Sequence, residues 1–159
     1  YDLTQLLEQP DPLFLMLENL QDPGNLGTMI RTGEGAGITG VIMNNQTVDI
    51  FNPKTIRATM GSIFRVPFVY VPDLAPVLEQ MHAKGIYTYA AQEYYDSFSF
   101  REPTAFLIGN EGNGLSKEIS DQAGQYLKIP MEGRVESLNA SIAAALLMYE
   151  AHRQRSARL

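Results

Sequence analysis

Short, continuous apolar runs alternate along the chain with stretches of helical period. Leu13–Leu17, 40–43, Phe68–Val71, 86–91, 105–108 and 126–129 are runs of four to six residues rich in β-branched, aromatic and large aliphatic side chains. Runs of that length and composition are the pattern of buried strands. Helix signals lie between them. Asn52 before Pro53 reads as an N-cap followed by proline at the first helical position, and predicts a helix to about Met60. Leu74, Val77, Leu78 and Met81 fall at i, i+3, i+4 and i+7, with Gly85 as the stop. Ser116 predicts a short helix with Glu118 in its first turn and an end at Gly124, and the longest helical stretch is about 138–155. Strand and helix in alternation predict an α/β fold, a parallel sheet with helices on both faces. Residues 93–103 read as a loop. Residues 1–12 read as an N-terminal linker, kept out of helix by Pro10 and Pro12.

A chain of 159 residues suits one domain, here 13–159, and no repeat or internal boundary divides it. No apolar stretch approaches the ~18 residues of a membrane span, and the start does not resemble a signal peptide. Cysteine is absent, so disulfides and thiolate metal sites are excluded and a reducing, cytoplasmic compartment is the default. The formal charge of −6 opposes unaided nucleic-acid binding. Its distribution is uneven: residues 1–30 carry five acids and no Lys or Arg, whereas Arg153, Arg155 and Arg158 cluster at the end. The chain starts at Tyr1 rather than Met, which suggests part of a longer protein, with a basic surface expected in the part ahead of it.

Glycine-bearing turns are expected at three places, each after a strand and before a helix: Asn25 to Gly27, Gly109 to Gly114, and Gly133 ahead of Ser137 and Asn139. In an open parallel sheet a ligand site belongs beyond the carboxyl ends of the strands, where these turns fall. No standard nucleotide signature is complete. Gly109 and Gly114 have P-loop spacing, but Leu115 stands where the phosphate-binding lysine should be. Gly33, Gly35 and Gly37 do not make the dinucleotide fingerprint. A serine triad would need His82 or His152, both expected on the surface of helices, and no His/Asp/Glu cluster has metal-ligand spacing. Glu111 is the one acid inside a glycine-rich turn; it either accepts N–H groups of neighbouring backbone or serves a site.

The same segments carry a family pattern. The segment from Asn25-Leu-Gly-Thr-Met-Ile-Arg31 to Gly37 resembles the first motif of the SpoU (TrmH-type) RNA 2′-O-ribose methyltransferases. Residues 107–116, Leu-Ile-Gly-Asn-Glu-Gly-Asn-Gly-Leu-Ser, resemble their second motif, and 129–143 their third. Arg57-Ala-Thr-Met-Gly61, continuing to Phe64 and Pro67, is similar to an intervening element. The resemblance covers about 13–155. Any one motif is weak, whereas all in order are specific. Thr59 stands where the family commonly has serine, and Gly33 and Gly35 where it commonly has alanine.

The resemblance implies a SPOUT-type fold whose C-terminal part is threaded as a deep trefoil knot, with S-adenosylmethionine as methyl donor and no metal. It assigns Leu107, Ile108, Gly109, Ile129, Met131, Ser137, Leu138 and Asn139 to the cofactor, and Asn25, Arg31, Glu111, Ser137 and Asn139 to catalysis. The residue types suit this. Gly109, Gly112 and Gly133 let backbone approach a ligand, and Ile129, Met131 and Leu138 can enclose an adenine. Arg31 stays charged, so its expected role is to orient the target phosphate and stabilise the developing alkoxide. With Arg57 and Arg65 it could hold one or two RNA phosphates. The last helix is apolar all round from Ile142 to Tyr149, which by pattern alone reads as core. The resemblance implies instead a homodimer with sites at the subunit boundary, expected around Ala144 and Leu147. The expected substrate is tRNA or rRNA. The alternative is a catalytically inactive RNA-binding or assembly module, against which the intact polar set argues; a nicotinamide enzyme ranks last.

Overall fold

Six strands form one sheet: β1 (Leu13–Leu17), β2 (Gly40–Asn44), β3 (Phe68–Val71), β4 (Tyr87–Gln92), β5 (Thr104–Ile108) and β6 (Gln125–Lys128). Their order is β3-β2-β1-β5-β4-β6 and every neighbouring pair is parallel. The computed structural model describes residues 1–92, 98–128 and 139–156. From β1 the chain winds outward through β2 to β3, then crosses to build the other half around β5. The crevice at the β1–β5 junction is therefore the topological switch point, the place where open parallel sheets bind ligands.

The helices are α1 (Leu3–Leu7), α2 (Pro23–Ala36), α3 (Pro53–Thr59), α4 (Ala75–Ala83), α5 (Lys117–Gln122) and α6 (Ala140–Ser156), with a 3-10 turn at Ser62–Phe64. Alternation along β1 splits the core in two. Leu13, Leu15 and Leu17 pack with Leu26, Met29 and Ile30 of α2 and Ala144, Leu147 and Met148 of α6. Phe14 and Met16 point the other way, to Val77, Leu78 and Met81 of α4 and Ile119 of α5. All five residues of β1 and of β5 are buried, which is why neither strand shows a polar alternate position. The expected α/β fold with both faces covered is what the chain adopts.

Most element ends follow the expected chemistry. Asn52 Oδ1 accepts the Lys54 N–H at 2.9 Å, and Ser116 Oγ accepts that of Ile119 at 3.3 Å. Helix α3 ends on Met60 in the left-handed region, and Gly85 after α4 has φ +75°. Two expectations are corrected. Residues 1–12 are not a linker free of helix: α1 is capped by Asp2, whose carboxylate accepts the Thr4 N–H at 3.0 Å, and it buries Leu6 and Leu7 against the α4 side of the core. Pro10 and Pro12 come after its last turn, so they end the helix rather than forbid it. Asn25 to Gly27 is not a turn either, but the first turns of α2, because Asp22 and Pro23 start the helix ahead of them.

Helix α6 returns along the α2 face to the amino ends of the strands. There Arg155 donates to the carbonyls of Asp11 (2.7 Å), Pro12 (3.1 Å), Phe100 (2.9 Å) and Glu102 (2.8 Å), tying together the approaches to β1 and β5. Ile129, the expected last residue of the sixth strand, and 130–138, through which the implied knot would thread, lie outside the described residues. Among the described residues no helix is long and apolar enough to cross a membrane.

Candidate functional site

Three loops converge at the carboxyl ends of β1, β2 and β5, held by side chains that accept backbone N–H groups. Asn19 adopts φ +57°, a left-handed conformation that asparagine tolerates well. Its N–H donates to Asn44 Oδ1 at 2.9 Å, and Asn44 Nδ2 donates back to Asn19 Oδ1 at 2.8 Å. Asn110 Nδ2 donates to the Asn19 carbonyl at 2.8 Å, which joins the β5 loop to the same point. The buried Glu18 carboxylate accepts both the Ser116 N–H (2.6 Å) and its hydroxyl (2.8 Å). Hydrogen bonds to a charged acceptor are worth ~1.5–3 kcal/mol each, so this clasp fixes the loop between β5 and α5 onto β1. Glu18, Asn19 and Asn44 were not among the candidate residues. The available signal was a polar residue directly after an apolar strand, which also marks an ordinary loop.

Glu111 binds neighbouring backbone. Its carboxylate accepts the N–H of Gln21 (2.9 and 3.2 Å) and of Asp22 (2.6 Å). Asp22 in turn caps α2, accepting the N–H of Gly24 at 2.8 Å and of Asn25 at 3.3 Å. Glu111 thus sets where α2 starts and, through it, where Asn25 and Arg31 stand. At Gly109 a Cβ would lie 2.2 Å from the backbone of Gly114 and Leu115, so the missing side chain makes room for the loop to fold on itself. Leu107 and Ile108 are buried in opposite halves of the core, which leaves their backbone at the strand end as what they can offer a cofactor. Asn139 caps α6: its Oδ1 accepts the Ser141 N–H at 2.8 Å and hydroxyl at 2.6 Å. Ile129, Met131, Gly133, Ser137 and Leu138 lie outside the described residues.

Arg31 is exposed on α2, and among the described residues its guanidinium has no hydrogen-bond or ion-pair partner. Its place follows from helical period. Gly27, Arg31 and Glu34 form one stripe of α2 at i, i+4 and i+7. At Gly27 the stripe meets α3 so closely that a Cβ would lie 2.5 Å from that of Ala58. At Glu34 it meets the 3-10 turn, where the carboxylate accepts the Ser62 hydroxyl at 2.7 Å and a two-pronged ion pair from Arg65. Arg31 therefore sits midway between α3 and that turn. Arg65 does not share its availability, because its guanidinium is already committed to Glu34; the pair holds the Glu34 carboxyl below its ordinary range and raises Arg65. Of the three arginines expected to meet phosphate, Arg31 and the exposed Arg57 remain available among the described residues.

The apolar helix is part core and part surface. Ala144 and Leu147 are buried against α2 and the sheet, so the expectation that they form a subunit boundary is corrected. The outward face of α6 is Ile142, Leu146 and Tyr149, each about half exposed. With Thr28 and Thr32 of α2 they line a shallow cavity of about 270 Å³. His82 and His152 lie on the surface, as expected. Among the described residues no group of three or more His, Asp or Glu could hold a metal ion.

Known proteins match this arrangement of motifs and fold. The family model described as the SpoU rRNA Methylase family matches residues 12–149. A Bacillus subtilis (strain 168) protein named as a TrmH family tRNA/rRNA methyltransferase, YacO, is 35% identical over 98% of this chain. This chain spans 65% of that protein's length. The SpoU methyltransferase AviRb from Streptomyces viridochromogenes, solved in complex with the cofactor AdoMet, superposes with a TM-score of 0.90 at 34% identity, covering 98% of this chain and 65% of that one. A structure described as an RNA 2′-O ribose methyltransferase superposes with a TM-score of 0.82 at 34% identity, over 93% of this chain and 58% of that one. Matched along most of its length and in the order of its motifs, the chain belongs to the SpoU rRNA methylase family.

Proposed function

We propose that the chain transfers the methyl group of S-adenosylmethionine to a ribose 2′-hydroxyl of tRNA or rRNA, in the cytoplasm where those RNAs reside. The observation that carries this is Arg31: a guanidinium without a partner among the described residues, on a helix whose start is pinned by Glu111. The cofactor-bound AviRb structure and the ribose methyltransferase neighbour support donor and acceptor. The donor set of the β5 loop fits the cofactor. Residues 109–116 contain no lysine or arginine, as suits a ligand with a sulfonium and no phosphate. The backbone at Leu107–Gly109 and the capped start of α6 at Asn139 would hold it, together with 129–138.

When bound, S-adenosylmethionine would supply an electrophilic methyl carbon open to in-line attack by the ribose oxygen, with the C–S bond breaking and the neutral thioether leaving. The chain's own contribution is placement and charge. Arg31 holds the target phosphate with its planar fork and faces the oxygen as it loses its proton to water and gains negative charge. A permanently charged guanidinium stabilises that alkoxide without acting as the base. Positioning of this kind supplies a large share of the acceleration of an in-line transfer. Asn25 follows Arg31 because both ride on α2.

The catalytic unit is a homodimer joined through Ile142, Leu146 and Tyr149. Three large apolar side chains left half exposed on one face of α6 support this, and Thr28 and Thr32 of the same concave surface flank Arg31 on α2. A second copy seated there would border the site. Incubating the protein with tritiated S-adenosylmethionine and total RNA, then mapping the product, tests the function. Label in RNA at alkali-resistant 2′-O-methyl positions is expected; binding of RNA without transfer would leave only the inactive-module reading.

A further inference from the structure

The two elements that flank the α2 stripe of Arg31, helix α3 and the 3-10 turn, each carry a large apolar side chain left in water. Met60, at the C-cap of α3, is 67% exposed, and Phe64, in the 3-10 turn, is 81% exposed. Burying such a side chain would yield ~1.5–3 kcal/mol, so leaving two neighbours out is a cost that folding does not recover. Among the described residues no aromatic ring contacts Phe64. The backbone between them is held in an unusual shape: Met60 takes φ +51°, a left-handed conformation uncommon for methionine, and Gly61 follows at φ +91°. The turn is then locked from below by Ser62 and Arg65, both bonded to Glu34 of α2. Two cations lie on the adjoining helices. Arg57 on α3 and Arg31 on α2 are exposed and have no side-chain partner among the described residues, and the Arg57 carbonyl itself accepts the Met60 N–H at 3.3 Å.

We propose that Met60 and Phe64 form a stacking shelf for an unpaired nucleobase of the RNA, with Arg57 and Arg31 holding the phosphates on either side of it. This rests on the substrate being RNA, as proposed above. An unpaired nucleotide offers the face of its base for stacking, and an aromatic face beside cations is the usual device for catching such a base. Charge decides the occupant: a second copy of this chain carries −6, but its exposed α6 face is apolar and uncharged, whereas a phosphodiester next to a base supplies the anion that Arg57 and Arg31 lack.

The sequence contains no tryptophan, so Phe64→Trp creates a single reporter at the shelf. Titration with a single-stranded 12-nucleotide oligoadenylate is expected to quench its emission to saturation, and a blunt RNA duplex of equal length is expected to leave it unchanged. Phe64→Ala is expected to weaken oligoadenylate binding about tenfold, and Phe64→Tyr to keep it. Tyr87→Ala, another exposed aromatic on a different element, should leave binding unchanged. In methyl transfer to total RNA, Phe64→Ala should raise KM and leave kcat within about twofold. The shelf is overturned if the protein does not bind oligoadenylate, if it binds without quenching Trp at position 64, or if Phe64→Ala weakens self-association instead of RNA binding. The two proposals separate. Methyl transfer that is indifferent to Phe64→Ala overturns the shelf alone, and quenching without any methyl transfer overturns the enzymatic reading alone.

Discussion

At the scale of single residues, the difference between Arg31 and Arg65 organises the site. Both are arginines in family-like motifs, yet one is open among the described residues and the other is spent on Glu34. That pair has a pH signature. The Glu34 carboxyl sits below its ordinary value of 4.5, chiefly because of the hydrogen bond from Arg65 and then that from Ser62. A depressed carboxyl stabilises the fold fully above the unfolded value and loses that contribution as pH falls through the lower folded one. The stability gap between wild type and Glu34→Gln, read from urea midpoints, should thus be full above about pH 5 and shrink steadily below the 4.5 of the unfolded chain. A gap that widens on acidification would contradict the pairing. Glu111→Ala removes the acceptor for the Gln21 and Asp22 N–H groups; because water can replace it at this exposed place, about 1–2 kcal/mol should be lost in denaturant melts. Glu111 was legible as a candidate because an acid in a glycine-rich turn is conspicuous. Its partners were not, since they lie some ninety residues away and only the pairing of β1 with β5 brings them together.

Elements were legible where a local rule and burial agree. The strand runs at Leu13–Leu17 and Phe68–Val71 match to the residue, because continuous apolar runs have one comfortable place in a parallel sheet. Helix α1 was missed since its five residues bury just Leu6 and Leu7, too few for periodicity to show. The start of α2 was read as a turn because Gly24, Asn25 and Gly27 favour turns by propensity. Tertiary packing overrides this: Gly27 is what lets α3 approach α2. Gly27→Ala would place a methyl 2.5 Å from Ala58 Cβ and 2.6 Å from the Thr55 carbonyl oxygen. Despite a better helix propensity it should destabilise by ~1–3 kcal/mol, measured as a lowered thermal midpoint. If the substitution is neutral or stabilising, the close α2–α3 contact is wrong.

For the molecule as a whole, the sheet places the site and the surface decides its assembly. That a site belongs beyond the carboxyl ends of the strands was legible from strand–helix alternation, but the order that sets β1 beside β5 was not, nor was the side of α6 that faces outward. Ala144 and Leu147 look no more core-like in sequence than Ile142 and Leu146; the position of α2 makes the difference. If the proposed dimer forms through this exposed face, Leu146→Asp should dissociate it in sedimentation and lower methyl transfer while the thermal midpoint moves little. Ala144→Asp, in the core, should unfold the chain instead. In the proposed reaction Arg31 serves the acceptor through its charge and fork, and not the donor. The most direct measurement is single-turnover methyl transfer to RNA by Arg31→Ala, paired with calorimetric titration of the same variant with S-adenosylmethionine. The expected result is a transfer rate lowered by about 10²–10³-fold, the loss seen when one preorganised charge-stabilising donor is removed, with cofactor affinity within a few-fold of wild type. Near-wild-type transfer, or loss of cofactor binding in step with loss of rate, would contradict it.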